Sequence, residues 1–321
     1  MARITRSMYH KDLQSGYLAG RIVTWMSHRD WALRVMQRFM LQPSVGQQIE
    51  GLINDEIYIP SQASPGHKIR TRVYKPVGAK GPLPAMLYAH GGGYQVGVPE
   101  QAHSFYDDII KRRDVAIIAP AYRLSLQGHP YPAGHDDCFD TLRYMRDNAA
   151  ALGIRSDKFI IAGHSGGGGM AAAVTLKAVD TKVAEIAFQM PVYPMLDHRN
   201  QTTSAREMQG SLIWDGQSNV RAWAKYVGHL KGEVPDYASP ALRKVLSGLP
   251  PTISWVGDME PFKDETIQYI EALERAGVPT KFKLYEGGYH AFELLVPNAT
   301  ISKDANEFQV SAFAEYYDKY L

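Results

Sequence analysis

Apolar runs and helical periods alternate along most of the chain. KIRTRVYKP, Lys68–Pro76, alternates apolar and polar positions until proline stops it, as a half-buried strand does. LPAMLYAH, VAIIAPAYR, KFIIAGH, AEIAFQM, PTISWVGD and TKFKLYEGG follow as further strands. Several are apolar at nearly every position, the pattern of strands buried on both faces of a parallel sheet. Helical segments separate them. DDCFDTLRYMRDNAAALGI carries Phe139, Leu142 and Met145 at helical spacing and stops at Gly153. NVRAWAKYVGHL sets Val220, Trp223, Tyr226, Val227 and Leu230 on one face, with Asn219 as the expected N-cap. DETIQYIEALERAGVP ends at Gly277 with Pro279 beyond it, a helix C-terminus. Alternation of this kind predicts an α/β fold whose sheet is mainly parallel.

The first fifty residues depart from that alternation. GYLAGRIVTWMSHRDWALRVMQRFM is helical in period, rich in Met and Trp, and precedes every strand. The expectation is a helical cap, residues 1–50, lying on a main domain of residues 51–321. A second piece of cap is expected near residues 200–230, where REMQGSLIWDGQSN interrupts two strands. Arg29, Arg34 and Arg38 fall on the far side of the first segment, so a membrane-surface or dimer helix is the competing reading.

Composition narrows the field. The 321 residues are 45% hydrophobic and 21% charged, with a net charge of +2, a mild balance that does not point to nucleic acid. The short basic run Lys111–Arg113 reads as the solvated end of a helix. Cys138 stands alone, so no intrachain disulfide forms. No stretch approaches the roughly 18 apolar residues of a membrane span, and the N-terminal residues lack the apolar core of a signal peptide. The reading is a soluble, cytoplasmic protein without stable membrane insertion.

The chemistry concentrates at strand ends. Strand KFIIAGH runs straight into GHSGGGGMAAAVTLKA, so Gly163–Gly167 forms G-x-S-x-G where a strand turns into a helix. Alone the motif is weak; in that setting it is a nucleophile elbow, a sharp strained turn that leaves Ser165 exposed. A serine hydroxyl attacks only when a base takes its proton. In this chain order the base is a late histidine, and YEGGYHAF supplies His290 after the last strand. The orienting acid comes from PTISWVGDMEPFKDE, where Asp258, Glu260 and Asp264 compete; Asp264 looks like a first-turn residue of the next helix, and spacing does not choose between the other two. YAHGGGYQVG, Tyr88–Gly97, follows an early strand, where bare glycine N–H groups can stabilise an oxyanion opposite Ser165. The N–H of Gly166, beside the nucleophile, adds a donor.

Taken together, HGGGY at His90–Tyr94, AYRLSLQGHPYPAGHDD at Ala121–Asp137, GHSGGGG at Gly163–Gly169, GDMEPFKDE at Gly257–Glu265 and YHAF at Tyr289–Phe292 resemble the hormone-sensitive lipase family of α/β-hydrolases, in the family's order. The resemblance implies an eight-stranded, mostly parallel sheet with helices on both faces and a helical cap. It implies a serine carboxylesterase or lipase acting on short- to medium-chain acyl esters through an acyl-serine, without a cofactor. Ser165 becomes the nucleophile, His290 the base and Gly92, Gly93 and Gly166 the oxyanion donors, with Gly91 a weaker match. The family's acid is the first Asp of D-P-L-x-D-E; EPFKDE puts Glu260 there, one methylene longer, with Asp258 in reserve. His164 replaces a usually acidic residue and is expected to point away from substrate.

Tyr94, Trp214 and Phe292 are the expected pocket aromatics, each equally readable as ordinary core. Arg123 is expected to pair with acids beneath the site, and His135–Asp137 to serve a helix start rather than a metal, since no H-E-x-x-H spacing occurs. The expected partner is a small-molecule ester; a homodimer is common in the family. An amidase or peptidase on the same residues is the near rival. A non-catalytic receptor is weaker because His290 is present, and a phosphate cradle is weaker because the P-loop lysine is missing.

Overall fold

The structure, a computed structural model, describes residues 4–321. Its strands are β1 (Leu52–Pro60), β2 (Lys68–Pro76), β3 (Leu83–Ala89), β4 (Ala116–Pro120), β5 (Ile154–His164), β6 (Glu185–Val192), β7 (Thr252–Gly257) and β8 (Thr280–Tyr285). They form one eight-stranded sheet in the order β1-β2-β4-β3-β5-β6-β7-β8. The pairs β1–β2 and β2–β4 are antiparallel and the others parallel. Seven strands lie where the apolar pattern places them. β1 was not apparent from that pattern: it is an edge strand, its Asn54-Asp55-Glu56 stretch faces water, and only Ile59 is buried.

The helices are α1 (Tyr17–Ser27), α2 (Asp30–Met36), α3 (His103–Arg112), α4 (Ala133–Asp147), α5 (Ala149–Leu152), α6 (Gly166–Thr181), α7 (Thr203–Glu207), α8 (Gly216–Val227), α9 (Lys263–Arg275), α10 (Phe292–Leu295) and α11 (Thr300–Tyr320). Successive residues of a strand point to opposite faces, so β3 feeds two cores. Met86 and Tyr88 meet α3 and α11 through Tyr106, Ile109 and Phe313. Ala85 and Leu87 join α4 and α6 through Leu142, Met145 and Val174. The inner strands are thereby covered on both sides, while the edge strand β8 is only partly buried, and the carboxyl ends remain for the site.

Two local expectations change. The N-cap of α8 is Asp215, whose carboxylate accepts from the Ser218 N–H; Asn219 lies within the first turn, and Val220 faces solvent. The long helical stretch after Asp136 breaks at Asn148 into α4 and α5 before Gly153 turns the chain at φ +64°.

The N-terminal helices and the insert lie against each other above the strand ends. The Ile213 N–H donates to Gly20 O (3.2 Å), Thr24 Oγ1 to Ser211 O (2.9 Å), and Ser27 and Ser218 hydroxyls meet at 2.6 Å. Ser204 and Asp264 then tie the insert to α9 reciprocally: Ser204 N–H donates to Asp264 Oδ2 (2.7 Å) and Asp264 N–H to Ser204 Oγ (3.0 Å).

Candidate active site

β5 delivers Ser165 into a turn of φ +59°, ψ −123°, a strained conformation for a side-chain-bearing residue. Close approach explains the flanking glycines. A Cβ on Gly163 would stand 2.2 Å from Gly167 O, and one on Gly167 2.1 Å from Ala89 O. The Ser165 N–H is fixed by Val192 O at 3.0 Å, which leaves the hydroxyl at the mouth of the turn.

His290 arrives from the loop after β8. Its Nε2 lies 2.8 Å from Ser165 Oγ and its Nδ1 2.5 Å from Glu260 Oε2. Glu260 is fully buried just beyond β7, and the Gly257 N–H donates to its other oxygen at 3.1 Å. The side chain thus folds back over its own strand end, which takes up the extra methylene. Asp258 is used elsewhere: it accepts from the Gly287 N–H (2.7 Å), pinning the loop that carries His290. Burial raises its pKa above the ordinary carboxylate value. Asp264 sits in the first turn of α9, bonded to Ser204.

The turn after β3 faces Ser165. Gly92 and Gly93 have φ +120° and +58°. A Cβ on Gly166 would lie 2.9 Å from Gly93 N, so the two backbones meet across the nucleophile. His90 braces this turn from behind. It stacks on Tyr122 at 4.2 Å, its Nδ1–H donates to Gly91 O, and burial lowers its pKa to about 4. Gly91 lines the cavity, but its carbonyl is engaged by His90 and Gln101.

These groups open on a cavity of about 460 Å³. Its walls include Val23, Leu33 and Met36 of the N-terminal segment, Trp214 of the insert, and Phe105. Of the three aromatics expected there, only Trp214 lines it. Tyr94 is core: its ring stacks on Tyr226 at 4.1 Å and its hydroxyl donates to Met195 O. Phe292 is fully buried among Trp255, Tyr285 and Tyr289. Both brace the site from outside the cavity.

His164, expected to point away, instead forms part of the cavity wall. Its tautomer follows from its neighbours. The Trp255 indole can only donate, and it donates to Gln309 Oε1; that oxygen therefore also accepts from His164 Nε2–H (3.1 Å). His164 Nδ1 is left to accept from the Tyr88 hydroxyl (2.8 Å). Burial lowers the His164 pKa to about 4, so the ring is neutral at physiological pH. Tyr193 and Glu293 share this wall. Glu293 is not among the residues expected here, although an acidic residue three positions after His290 in so apolar a stretch is a readable signal. Beneath the site, Arg123 forms a two-pronged pair with Asp137 (2.8 and 2.9 Å), as expected, while Asp136 faces Lys177.

A hydroxyl, an imidazole and a carboxylate in line allow a proton to leave the oxygen as it attacks. A profile of the alpha/beta hydrolase fold matches residues 86–294. Carboxylesterase NlhH of Mycobacterium tuberculosis is 31% identical over 242 residues, covering 72% of this chain and 74% of its own. Ethyl acetate hydrolase of Pseudomonas putida is 28% identical over 230 residues, 71% and 72% of the two chains. A solved bacterial heroin esterase superposes with a TM-score of 0.90 at 26% identity, covering 98% of this chain and 99% of its own. The sheet order, the profile match and the shared identity with carboxylesterases agree, and the chain belongs to the alpha/beta hydrolase fold family, in its hormone-sensitive lipase-like branch of serine carboxylic ester hydrolases.

Proposed function

We propose that the enzyme cleaves esters of short- to medium-chain acids by way of an acyl-serine on Ser165. His290 Nε2 takes the hydroxyl proton as Oγ bonds to the ester carbonyl carbon. The carbonyl oxygen becomes an oxyanion among the N–H groups of Gly92, Gly93 and Gly166. Collapse breaks the bond to the alkoxy oxygen, which leaves as the alcohol with the proton from His290. Water then attacks the acyl carbon and gives a proton to His290; the bond from that carbon to Oγ breaks, His290 returns the proton to Oγ, and the acid and free Ser165 are released. Glu260 holds the imidazole with Nε2 toward Ser165 and stabilises its protonated form.

The observation that carries this reading is the unbroken line from Ser165 through His290 to Glu260 at the wall of a cavity. At about 460 Å³ that cavity is in the lower part of the usual small-molecule range, roughly 300–1,000 Å³, which favours a modest acyl group. The names of the relatives point the same way.

A panel of p-nitrophenyl esters of increasing acyl length, run on three variants, tests it. Ser165→Ala is expected to lose on the order of 10⁴–10⁶ in kcat, and Glu260→Ala roughly 10³–10⁴. Asp258→Ala should stay within about tenfold, since it holds only the loop. Undiminished turnover by Ser165→Ala would end the acyl-serine reading. An inactive Asp258→Ala beside a normal Glu260→Ala would move the acid to Asp258. A rate that climbs steadily to long chains would remove the chain-length claim.

A further inference from the structure

Helix α1 is amphipathic in an inverted sense. The residues it buries are small or hydroxylic: Gly20, Thr24 and Ser27 lie against the insert. Its large apolar residues, Leu18, Ile22 and Trp25, follow one another at i, i+4 and i+7 on the opposite side. Across the turn, Trp31 of α2 continues the stripe; Trp25 and Trp31 meet edge to face at 5.5 Å. Phe39 and Met40 extend it, and these six side chains are 45–75% exposed. Such a contiguous face on a folded surface marks an interaction site.

Charge identifies what covers it. Arg21, Arg29, Arg34 and Arg38 border the stripe, and none has a carboxylate partner among the described residues. Arg29 lies over the Trp25 ring at 4.3 Å instead. The only acid between Leu13 and Ile49 is Asp30, and it is already held by Arg221 (2.9 Å) and Lys225 (2.8 Å). In a two-fold dimer through this face, the arginines of one copy would meet those of the other with no acid between them. An apolar stripe edged by cations fits a surface with a hydrocarbon layer beneath negative headgroups.

We propose that this face docks the enzyme on an anionic phospholipid surface, with Leu18, Ile22, Trp25, Trp31 and Phe39 at the acyl boundary and the arginines at the headgroups. The opposite sides of the same helices supply Val23, Leu33 and Met36 to the cavity wall. Docking would therefore set the cavity beside a layer into which apolar esters partition. Docking of this face does not depend on the acyl-serine mechanism.

The test is co-sedimentation of the full chain with vesicles of phosphatidylcholine alone and of phosphatidylcholine mixed with phosphatidylglycerol, with tryptophan emission followed in parallel. Trp214, Trp223 and Trp255 are buried, so a blue shift reports Trp25 and Trp31. The wild type should bind the mixed vesicles with a blue shift and bind neutral ones weakly. Arg34→Glu with Arg38→Glu should lower partitioning by at least about tenfold. Leu18→Ser with Ile22→Ser and Phe39→Ser should abolish it. Both variants should keep their rate on a water-soluble ester, which certifies their fold. Absence of binding to either vesicle overturns the proposal. So does equal binding to neutral vesicles that ignores Arg34→Glu, or a concentration-dependent dimer that the serine variant dissolves while vesicles bind nothing.

Discussion

Glu293 shows how one side chain can set a pH dependence that the catalytic line does not require. The Tyr193 hydroxyl donates to its Oε1 at 2.5 Å, while Oε2 has no partner among the described residues. Burial pushes its pKa up to about 7, against the partial relief of the Tyr193 bond. The folded protein therefore holds a proton that the unfolded chain releases above its ordinary carboxyl pKa. Stability contributed by this group is complete below that value, declines as pH rises toward about 7, and is flat beyond. Glu293→Gln removes the titration. Relative to wild type it should gain on the order of 2–3 kcal/mol between about pH 4 and about pH 8. Urea unfolding of both proteins at those two pH values measures this, and an identical difference at each would refute it.

At the scale of an element, the turn after β3 is the part whose geometry is most dictated by its residues. A Cβ on Gly92 would lie 1.8 Å from Val96 O, in a backbone of φ +120°. Gly92→Ala must reshape the turn and misplace its N–H groups, so kcat should fall by about 10²–10³. Gly128 is also left-handed, at φ +90°, but has open space around it. Gly128→Ala should cost about 1 kcal/mol of stability and leave turnover intact. Equal effects of the two substitutions would show that backbone strain, not donor position, limits the rate. This contrast also marks what the sequence could disclose. The placement of Ser165, His290 and the glycines together was legible because strained turns demand glycine and because each follows a strand end, two of those strands, β3 and β5, being largely buried. β1 was not, because half of it faces water and nothing forces its residues to be apolar. That Glu260 and not Asp258 meets His290 needed coordinates, since it depends on which carboxylate the β7 exit aims inward. Tyr94 and Phe292 needed them too: an aromatic beside a motif has the same composition whether it faces the cavity or the core.

The whole molecule divides into strand ends that hold the proposed reacting groups and two chain segments that roof them, and Asp215 is where the two segments of the roof are locked. Its Oδ1 accepts from the Ser218 N–H (2.9 Å), the Ser218 hydroxyl (2.7 Å) and His28 Nε2 (2.9 Å), and its Oδ2 from the Gly210 N–H (3.0 Å). It caps α8, closes the insert on itself and holds the end of α1, all while nearly inaccessible to water. Asp215→Ala leaves several buried donors without an acceptor, a local loss of about 2–4 kcal/mol. The sheet packs on α3, α4, α6 and α11 through other contacts, so the loss should fall on the roof. Limited proteolysis should cut residues 17–44 faster than in wild type, while the bulk of the chain melts nearly as before. Val23, Leu33 and Met36 belong to that segment, whereas Ser165, His290, Glu260 and the glycine turn do not. A loosened roof should therefore raise KM several-fold and change kcat little, because uniform substrate binding is lost and transition-state contacts are kept. Asp215→Asn, which keeps one acceptor oxygen, should lie between the two. A variant that loses kcat as steeply as it gains KM, with its proteolytic pattern unchanged, would mean that the roof and the strand ends form a single cooperative unit and that Asp215 supports both.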